Sequence, residues 1–263
     1  MLAAERRSRI VSEVRRTGAA GVPDLAAALG VSEMTVRRDI DVLAEQGVID
    51  RVRGGATAPR LPDRPEVDFA SQSLLRRDEK HAIARVAAGL VEPGMAIGIS
   101  GGTTAWALAQ ALRSIPDLTI VTNSLPVADV FARPERADEP YTQTVVLTGG
   151  VRTPADALVG PIAVRALEVL HCDLVFLGVR GVDVQAGLTT SNLLEAETDR
   201  ALIATGSTSI VLADHSKWGA VGLTTIADVD QIDRLIMDAG LADAAAAQLS
   251  EHVELVLAPV ADS

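Results

Sequence analysis

The chain has 263 residues, of which 48% are hydrophobic and only 2% aromatic, and its formal net charge is −11. The scarcity of aromatic side chains argues against a surface that stacks single-stranded nucleic acid, and the single cysteine, Cys172, excludes an intramolecular disulfide framework and a cysteine-cluster metal site. The charged N-terminus without an apolar stretch behind it, and the lack of any window resembling a membrane span, favour a soluble, cytoplasmic protein.

Charge is distributed unevenly along the chain. Residues 1–60 contain ten arginines and eight acidic residues, which gives a net charge of +2. Because the whole chain has a net charge of −11, the remaining 203 residues have a net charge of −13. A slightly basic N-terminal part on a strongly acidic body suggests two functions on one chain.

The first predicted elements are two helices. Apolar residues at helical spacing predict a helix over residues 4–15. Pro23-Asp24 is a favoured helix start and predicts a second helix, which Gly30 ends.

A third helix and a hairpin follow. Ser32 is a natural N-cap for a helix that extends to about Glu45. The residues expected on its apolar side are Met34, Ile40 and Leu43. Residues 48–55 then alternate like a short hairpin.

This order of elements is the layout of a winged helix-turn-helix, in which the start of the third helix reaches base edges. Arginine offers a bidentate fork to guanine or a clamp on phosphate. Adjacent arginines point about 100° apart on a helix, so Arg37 and Arg38 are expected to divide these roles. The predicted DNA-binding residues are Ser32, Glu33, Thr35, Arg37, Arg38 and, on the hairpin, Arg51 and Arg53. The alternative is a small helical domain whose arginines are solvated.

The string from Arg6 to Ala56 resembles the N-terminal signature of DeoR-family transcriptional regulators. The matching segments are RRSRI, DLAAALGVSEMTVRRDIDVLAEQGVI and RVRGGA. The resemblance implies that residues 1–57 form a winged helix-turn-helix domain that binds a double-stranded DNA operator.

The composition changes after this domain. Residues 58–75 contain Pro59, Pro62 and Pro65 among mixed charges, which predicts an extended linker. Over residues 76–258 short apolar strands alternate with helices, which predicts an α/β domain with a mostly parallel sheet covered on both faces. Ligands of such sheets bind at the carboxyl ends of the strands.

Small and polar residues follow several of the predicted strands. Glycines allow backbone N–H groups to approach a ligand closely, and a helix N-terminus favours an anion. Together these turns predict a pocket for a small phosphorylated polyol. The candidate residues are Ser100, Gly101, Gly102, Thr103, Thr104, Thr122, Asn123, Ser124, Gly149, Gly150, Asp183, His215 and Lys217.

The order of these segments resembles the DeoR-type sensor domain from about residue 76 to 238. The segments are GGTT, TNS, LTGG, ALVGP, FLGVRGVD, GLTT and ADHSKWG. That domain is similar in fold to ribose-5-phosphate isomerase and in the family binds a phosphorylated sugar. The resemblance implies that Gly102, Thr103 and Thr104 hold the phosphate. It also implies that the residues that reach the sugar or close the site are Asn123, Gly150, Asp183 and Lys217.

Two positions depart from the family pattern. The family commonly has an aspartate where this chain has Ser100, and a lysine near the position of Asp199. The loss of one carboxylate and one cation predicts a changed ligand, and an unphosphorylated effector stays an alternative.

Two other classes of function compete with a repressor of sugar or polyol metabolism. A sugar-phosphate isomerase-like enzyme would need an acid/base pair, for which Asp183 and Lys217 are the only candidates, so no catalytic residue is predicted. An oligomerising DNA-binding scaffold would show no small-molecule response. A single winged helix reads few bases, which predicts a homo-oligomer, either a dimer or a tetramer. The four histidines lack metal-ligand spacing, and neither a metal nor another cofactor is expected.

Overall fold

In a computed structural model, the chain divides into two compact units, residues 1–63 and residues 64–263. The structure describes residues 6–7, 9–11, 13–14, 19–45, 49–52, 54–57, 69–132 and 142–260. Within this part of the chain, no helix is long and apolar enough to cross a membrane.

The N-terminal unit combines helices with a small antiparallel sheet. The described residues between 6 and 14 are helical, and two further helices span Val22–Leu29 and Glu33–Glu45. The strand Gly55–Thr57 lies between Asp50–Val52 and Ala19–Gly21. The second and third helices and the hairpin therefore form close to where the sequence predicts them.

The helix Glu33–Glu45 buries one face and exposes the other. Val36, Ile40 and Leu43 are buried against Ile10 and Val14, but Met34 is 75% exposed, so the expectation that it faces the core is wrong. At about 100° per residue, Met34 points some 200° away from Val36, and hence towards solvent.

Gly55 allows the third strand of this small sheet to pack closely. A Cβ atom at this position would lie 2.2 Å from the carbonyl oxygen of Ala20. Only glycine leaves room for the strand Ala19–Gly21, whose pairing the sequence analysis did not foresee.

The C-terminal unit is built on a seven-stranded sheet in which every neighbouring pair of strands is parallel. The strands, in order across the sheet, are Glu254–Ala258, Arg234–Asp238, Gly206–Ala213, Cys172–Gly178, Ala96–Ile99, Thr119–Thr122 and Thr144–Leu147. This confirms the predicted fold class.

Helices cover both faces of the sheet because buried residues alternate along the strands. Ile210 and Leu212 pack into one core, whereas Val211 between them packs into the other. The helices of the first core are Arg77–Ala88, Thr103–Leu112 and Leu125–Phe131, and those of the second are Pro161–Leu167, Leu193–Thr205 and Asp243–Ser250.

Several short elements lie where none was predicted. A helix spans Phe69–Leu74, within the stretch predicted as an extended linker. None of its residues is buried, so the helix has no core-facing side that could mark it in the sequence. The other additions are the antiparallel strands Gly181–Asp183, Gly187–Thr190 and Thr224–Ala227 and the hairpin Val151–Arg152 with Leu158–Val159.

Candidate functional site

A cavity of about 250 Å³ lies at the carboxyl ends of the central strands of the sheet. Residues that follow the strands Ala96–Ile99, Thr119–Thr122, Cys172–Gly178 and Gly206–Ala213 line it. This is the edge at which ligands of parallel sheets bind, and the volume suits one small molecule.

One part of the wall is the start of the helix Thr103–Leu112. Gly102, its N-cap residue, has φ 114° and no side chain to cap the helix. The first backbone N–H groups of a helix have no acceptor within the helix, and they carry its positive dipole end. Gly101, Gly102, Thr103 and Thr104 all line the cavity, so these N–H groups and two hydroxyls are available to an anion.

Four cationic side chains line the same cavity: Arg76, Lys80, Arg180 and Lys217. The Nε atom of Arg180 is buried and has no hydrogen-bond partner among the described residues. Burial lowers the pKa of Lys217, Arg180 and Arg76 lower it further, and Asp214 opposes them. An anion bound here would satisfy the Arg180 donor and relieve the repulsion between the cations.

The neighbouring helix Arg77–Ala88 and the short helix Phe69–Leu74 meet at Lys80. The Nζ atom of Lys80 donates to the backbone carbonyl of Gln72 at 2.7 Å, and burial lowers the pKa of this lysine. Phe69, Gln72 and Leu75 also line the cavity, so the last part of the stretch predicted as a linker forms part of its wall.

The helix Leu193–Thr205 contributes two carboxylates to the wall, Glu195 and Asp199. Glu195 accepts a hydrogen bond from the hydroxyl of Thr190 at 2.9 Å. Asp199 is 7% exposed, and burial raises the pKa of its carboxyl well above the ordinary value, with Glu195 adding to the shift and Arg200 opposing it. The cavity therefore has an acidic part as well as a basic one.

Six of the thirteen residues predicted to bind an effector line the cavity: Gly101, Gly102, Thr103, Thr104, Asn123 and Lys217. The Nδ2 atom of Asn123 donates to the carbonyl oxygen of Leu158 at 3.2 Å. Its Oδ1 atom is buried without a partner in the described part of the chain.

Three more predicted residues hold the strand ends in place. The Ser100 hydroxyl accepts from the backbone N–H of Gly178 at 2.9 Å. The hydroxyl of Thr122 donates to the carbonyl of Ile99 at 2.7 Å. Ser124 is the N-cap of the helix Leu125–Phe131. These side chains support the loops of the cavity.

The last four predicted residues do not line the cavity that the described residues form either. Gly149 and Gly150 have positive φ angles and lead into the hairpin beside the sheet. Asp183 accepts from two backbone N–H groups of its own turn. The His215 ring lies 2.7 Å from Asp238, measured from Nδ1 to Oδ2. Contact of these residues with an effector stays a prediction.

Sequence reasoning named Asp199 only as a departure from the family pattern and did not assign five other charged residues of the wall: Arg76, Lys80, Arg180, Glu195 and Asp214. One signal was present for the acidic pair. Glu195 and Asp199 are four residues apart in a helix that begins directly after a strand, so they share one face near the strand end. In the described part, no group of three or more His, Cys, Asp or Glu side chains could hold a metal ion.

In the N-terminal unit, the start of the helix Glu33–Glu45 presents polar and basic side chains to solvent. The Ser32 hydroxyl accepts from the Thr35 backbone N–H at 3.2 Å and so caps this helix. Arg38 is exposed, and Arg37 forms an exposed ion pair with Glu33 at 3.1 Å. The exposed Met34 lies on the same turn and is an apolar surface that sequence reasoning did not assign.

Three further ion pairs position this surface. Asp39 is buried and receives Nε of Arg6 at 2.5 Å and Nε of Arg7 at 3.2 Å, which ties the third helix to the first. On the hairpin, Arg51 is exposed and pairs with Asp41 at 2.6 Å. The other predicted hairpin contact, Arg53, lies outside the described residues.

Comparison with known proteins gives matches to both units. Residues 6–60 match the model of the DeoR-like helix-turn-helix domain, and residues 75–239 match that of the DeoR C terminal sensor domain. The uncharacterized HTH-type transcriptional regulator YulB of Bacillus subtilis is 34% identical over 95% of each chain. The putative aga operon transcriptional repressor of Escherichia coli O157:H7 is 32% identical over 96% of this chain and 93% of the relative.

More distant similarities complete the comparison. The glycerol-3-phosphate regulon repressor of Haemophilus influenzae is 29% identical over 88% of this chain and 87% of the relative. A solved D-ribose-5-phosphate isomerase in complex with phospho-erythronic acid is 18% identical, with a TM-score of 0.38 over 53% of this chain and 52% of that chain.

Proposed function

Because the chain belongs to the DeoR family of transcriptional regulators, we propose that it represses genes of sugar or polyol metabolism and that a phosphorylated sugar controls it. Like the members of its family and its relatives, it is a DNA-binding transcriptional regulator and not an enzyme. Relatives named as repressors of an aga operon and of a glycerol-3-phosphate regulon support the metabolic role.

The effector proposal rests on the basic part of the cavity wall, which consists of the start of the helix Thr103–Leu112 and the cations Arg76, Lys80, Arg180 and Lys217. The uncapped helix start at Gly102, Arg180 with its unpartnered Nε, and the buried Lys80 all line a space the size of one sugar phosphate. A phosphate group offers acceptors to each of these donors, and charge-assisted hydrogen bonds of this kind are the strong ones.

The proposal predicts that a sugar phosphate stabilises the protein and that the hydroxyls of Thr103 and Thr104 contribute. A ligand at about 100 times its Kd adds about 2.7 kcal/mol to the unit that binds it, which raises Tm by roughly 5–10 °C for a unit of this size. Thermal unfolding against a panel of sugars, polyols and their phosphates would reveal the shift. We expect Thr103→Val/Thr104→Val to lose most of it.

The matched control is Thr144→Val, an exposed threonine on the edge strand Thr144–Leu147, which should keep the full shift. A shift produced only by unphosphorylated compounds would contradict the phosphate assignment. A protein stabilised by no compound of the panel would contradict sugar sensing as a whole and favour the scaffold alternative.

The helix Phe69–Leu74 offers a route from effector to operator. It is the first described element of the C-terminal unit, and Phe69, Gln72 and Leu75 line the cavity. An effector that contacts this wall changes the free energy of the segment that leads to the DNA-binding unit. A coupling of about 1–3 kcal/mol would change operator affinity about 5–150-fold.

We also propose that the regulator is a homo-oligomer, since one winged helix reads too few bases for a specific operator. Exposed apolar side chains on neighbouring elements of the C-terminal unit support this: Val151, Ile162 and Leu193 are each more than 60% exposed. We expect Ile162→Lys/Leu193→Lys to lower the mass measured by analytical ultracentrifugation. The exposed Leu223→Lys is the control, and an unchanged mass in the double variant would place the interface elsewhere.

A further inference from the structure

The acidic part of the cavity wall contains a buried carboxylate, Asp199, to which no hydrogen bond is made by the described residues. This residue is 7% exposed. The next residue along the helix, Arg200, instead donates to the backbone carbonyl of Ile226 at 3.1 Å. A buried carboxylate without donors is costly, so this side chain points to a ligand group that supplies them.

Glu195 adds a second negative charge on the same face. It lies one helical turn before Asp199, and like charges at this spacing repel each other. The hydroxyls of Thr190 and Thr153 donate to its two oxygens at 2.9 Å and 3.4 Å. These bonds hold the Glu195 carboxylate in place one turn from Asp199, where it adds to the upward shift in the pKa of Asp199.

Asn123 supplies a third acceptor to the same cavity. Because its Nδ2 atom donates to the carbonyl oxygen of Leu158, the amide orientation is fixed and Oδ1 is the free atom. The cavity therefore contains acceptors from Glu195, Asp199 and Asn123 besides the donors of its basic part.

We propose that the effector is an amino sugar phosphate whose ammonium group binds to Glu195, Asp199 and Asn123. This rests on the proposed function, because the phosphate of the same ligand occupies the basic part of the cavity. An ammonium group has three N–H donors and no acceptor, which matches a set of three acceptors. A neutral hydroxyl has one donor and would leave the buried charge of Asp199 uncompensated.

The test compares sugar phosphates that differ in one group. Glucosamine 6-phosphate is paired with glucose 6-phosphate, and galactosamine 6-phosphate with galactose 6-phosphate. The N-acetylated form of each amine keeps the nitrogen without its charge. Affinities are measured by isothermal titration calorimetry on the full-length protein, on Asp199→Asn and on the control Asp230→Asn, an exposed aspartate outside the cavity.

We expect at least one amine to bind roughly tenfold or more tightly than both its hydroxyl and its N-acetyl counterparts. Asp199→Asn should lose this preference but still bind the phosphate, and Asp230→Asn should keep it. Equal affinity for amine and hydroxyl compounds, or a preference that survives in Asp199→Asn, would overturn the amine assignment and leave a sugar-phosphate regulator. If no phosphorylated compound binds at all, the proposed function falls with it.

Discussion

Replacing Arg37 and Arg38 together with alanine is expected to lower operator affinity by about 2–5 kcal/mol, which is roughly thirtyfold or more. Both side chains are exposed on the first turns of the helix Glu33–Glu45, and neither supports the core. The loss therefore comes from contacts to bases and phosphates. The Arg37–Glu33 pair does not offset it, since an exposed ion pair contributes at most about 1 kcal/mol.

The measurement uses a DNA fragment selected from a random pool by the wild-type protein, with affinity followed as a function of salt. Each phosphate contact removed should reduce the salt slope by about 1. Arg85→Ala/Arg165→Ala, two exposed arginines of the C-terminal unit, changes the net charge equally and should keep the affinity. Equal operator affinity for wild type and the Arg37→Ala/Arg38→Ala variant would refute the DNA-binding role of this helix.

Asp199→Asn is expected to stabilise the ligand-free protein by about 1–3 kcal/mol at neutral pH. Burial, aided by Glu195, raises the pKa of Asp199 above its ordinary value of 3.8. The folded state then binds more protons than the unfolded state, so stability falls as pH rises above that value. The variant avoids this loss because asparagine has no charge to bury.

The stability difference between Asp199→Asn and wild type should therefore be small near pH 4 and grow as pH rises through the folded pKa. Denaturant unfolding at several pH values measures it. The variant leaves Glu195 and Arg200 on the same helix unchanged, along with the cavity residues Lys80, Arg180, Asp214 and Lys217. Asp230→Asn is the control. A variant less stable than wild type at pH 8 would contradict an uncompensated charge at Asp199.

The parallel sheet was predictable because its strands are continuous apolar runs. The strand Thr144–Leu147 and the helices Thr103–Leu112 and Leu125–Phe131 lie within the stretch over which strands and helices were expected to alternate. The position of the glycine and threonine turn at residues 101–104 in the cavity wall was also predictable, because the conformational freedom of glycine and the start of a helix are local properties. That this turn binds an anion stays a prediction.

The charged wall was not predictable, since it depends on which distant residues the fold brings together. Lys80 and Asp199 are 119 positions apart in the sequence and line one cavity. The helix Phe69–Leu74 escaped prediction because it buries none of its residues. Met34 was misplaced because an apolar side chain on a helix was assumed to face the core, whereas the start of this helix leaves it in solvent.

The helix start at Gly102 also bears on how such regulators diverge. The donors it offers are backbone N–H groups, which a side-chain substitution does not remove. The wall formed by residues 195 and 199 consists of side chains, each of which a single codon change can replace. After a gene duplication, one copy can therefore change the ligand that it accepts through residues 195 and 199, while the backbone donors of the helix start stay intact.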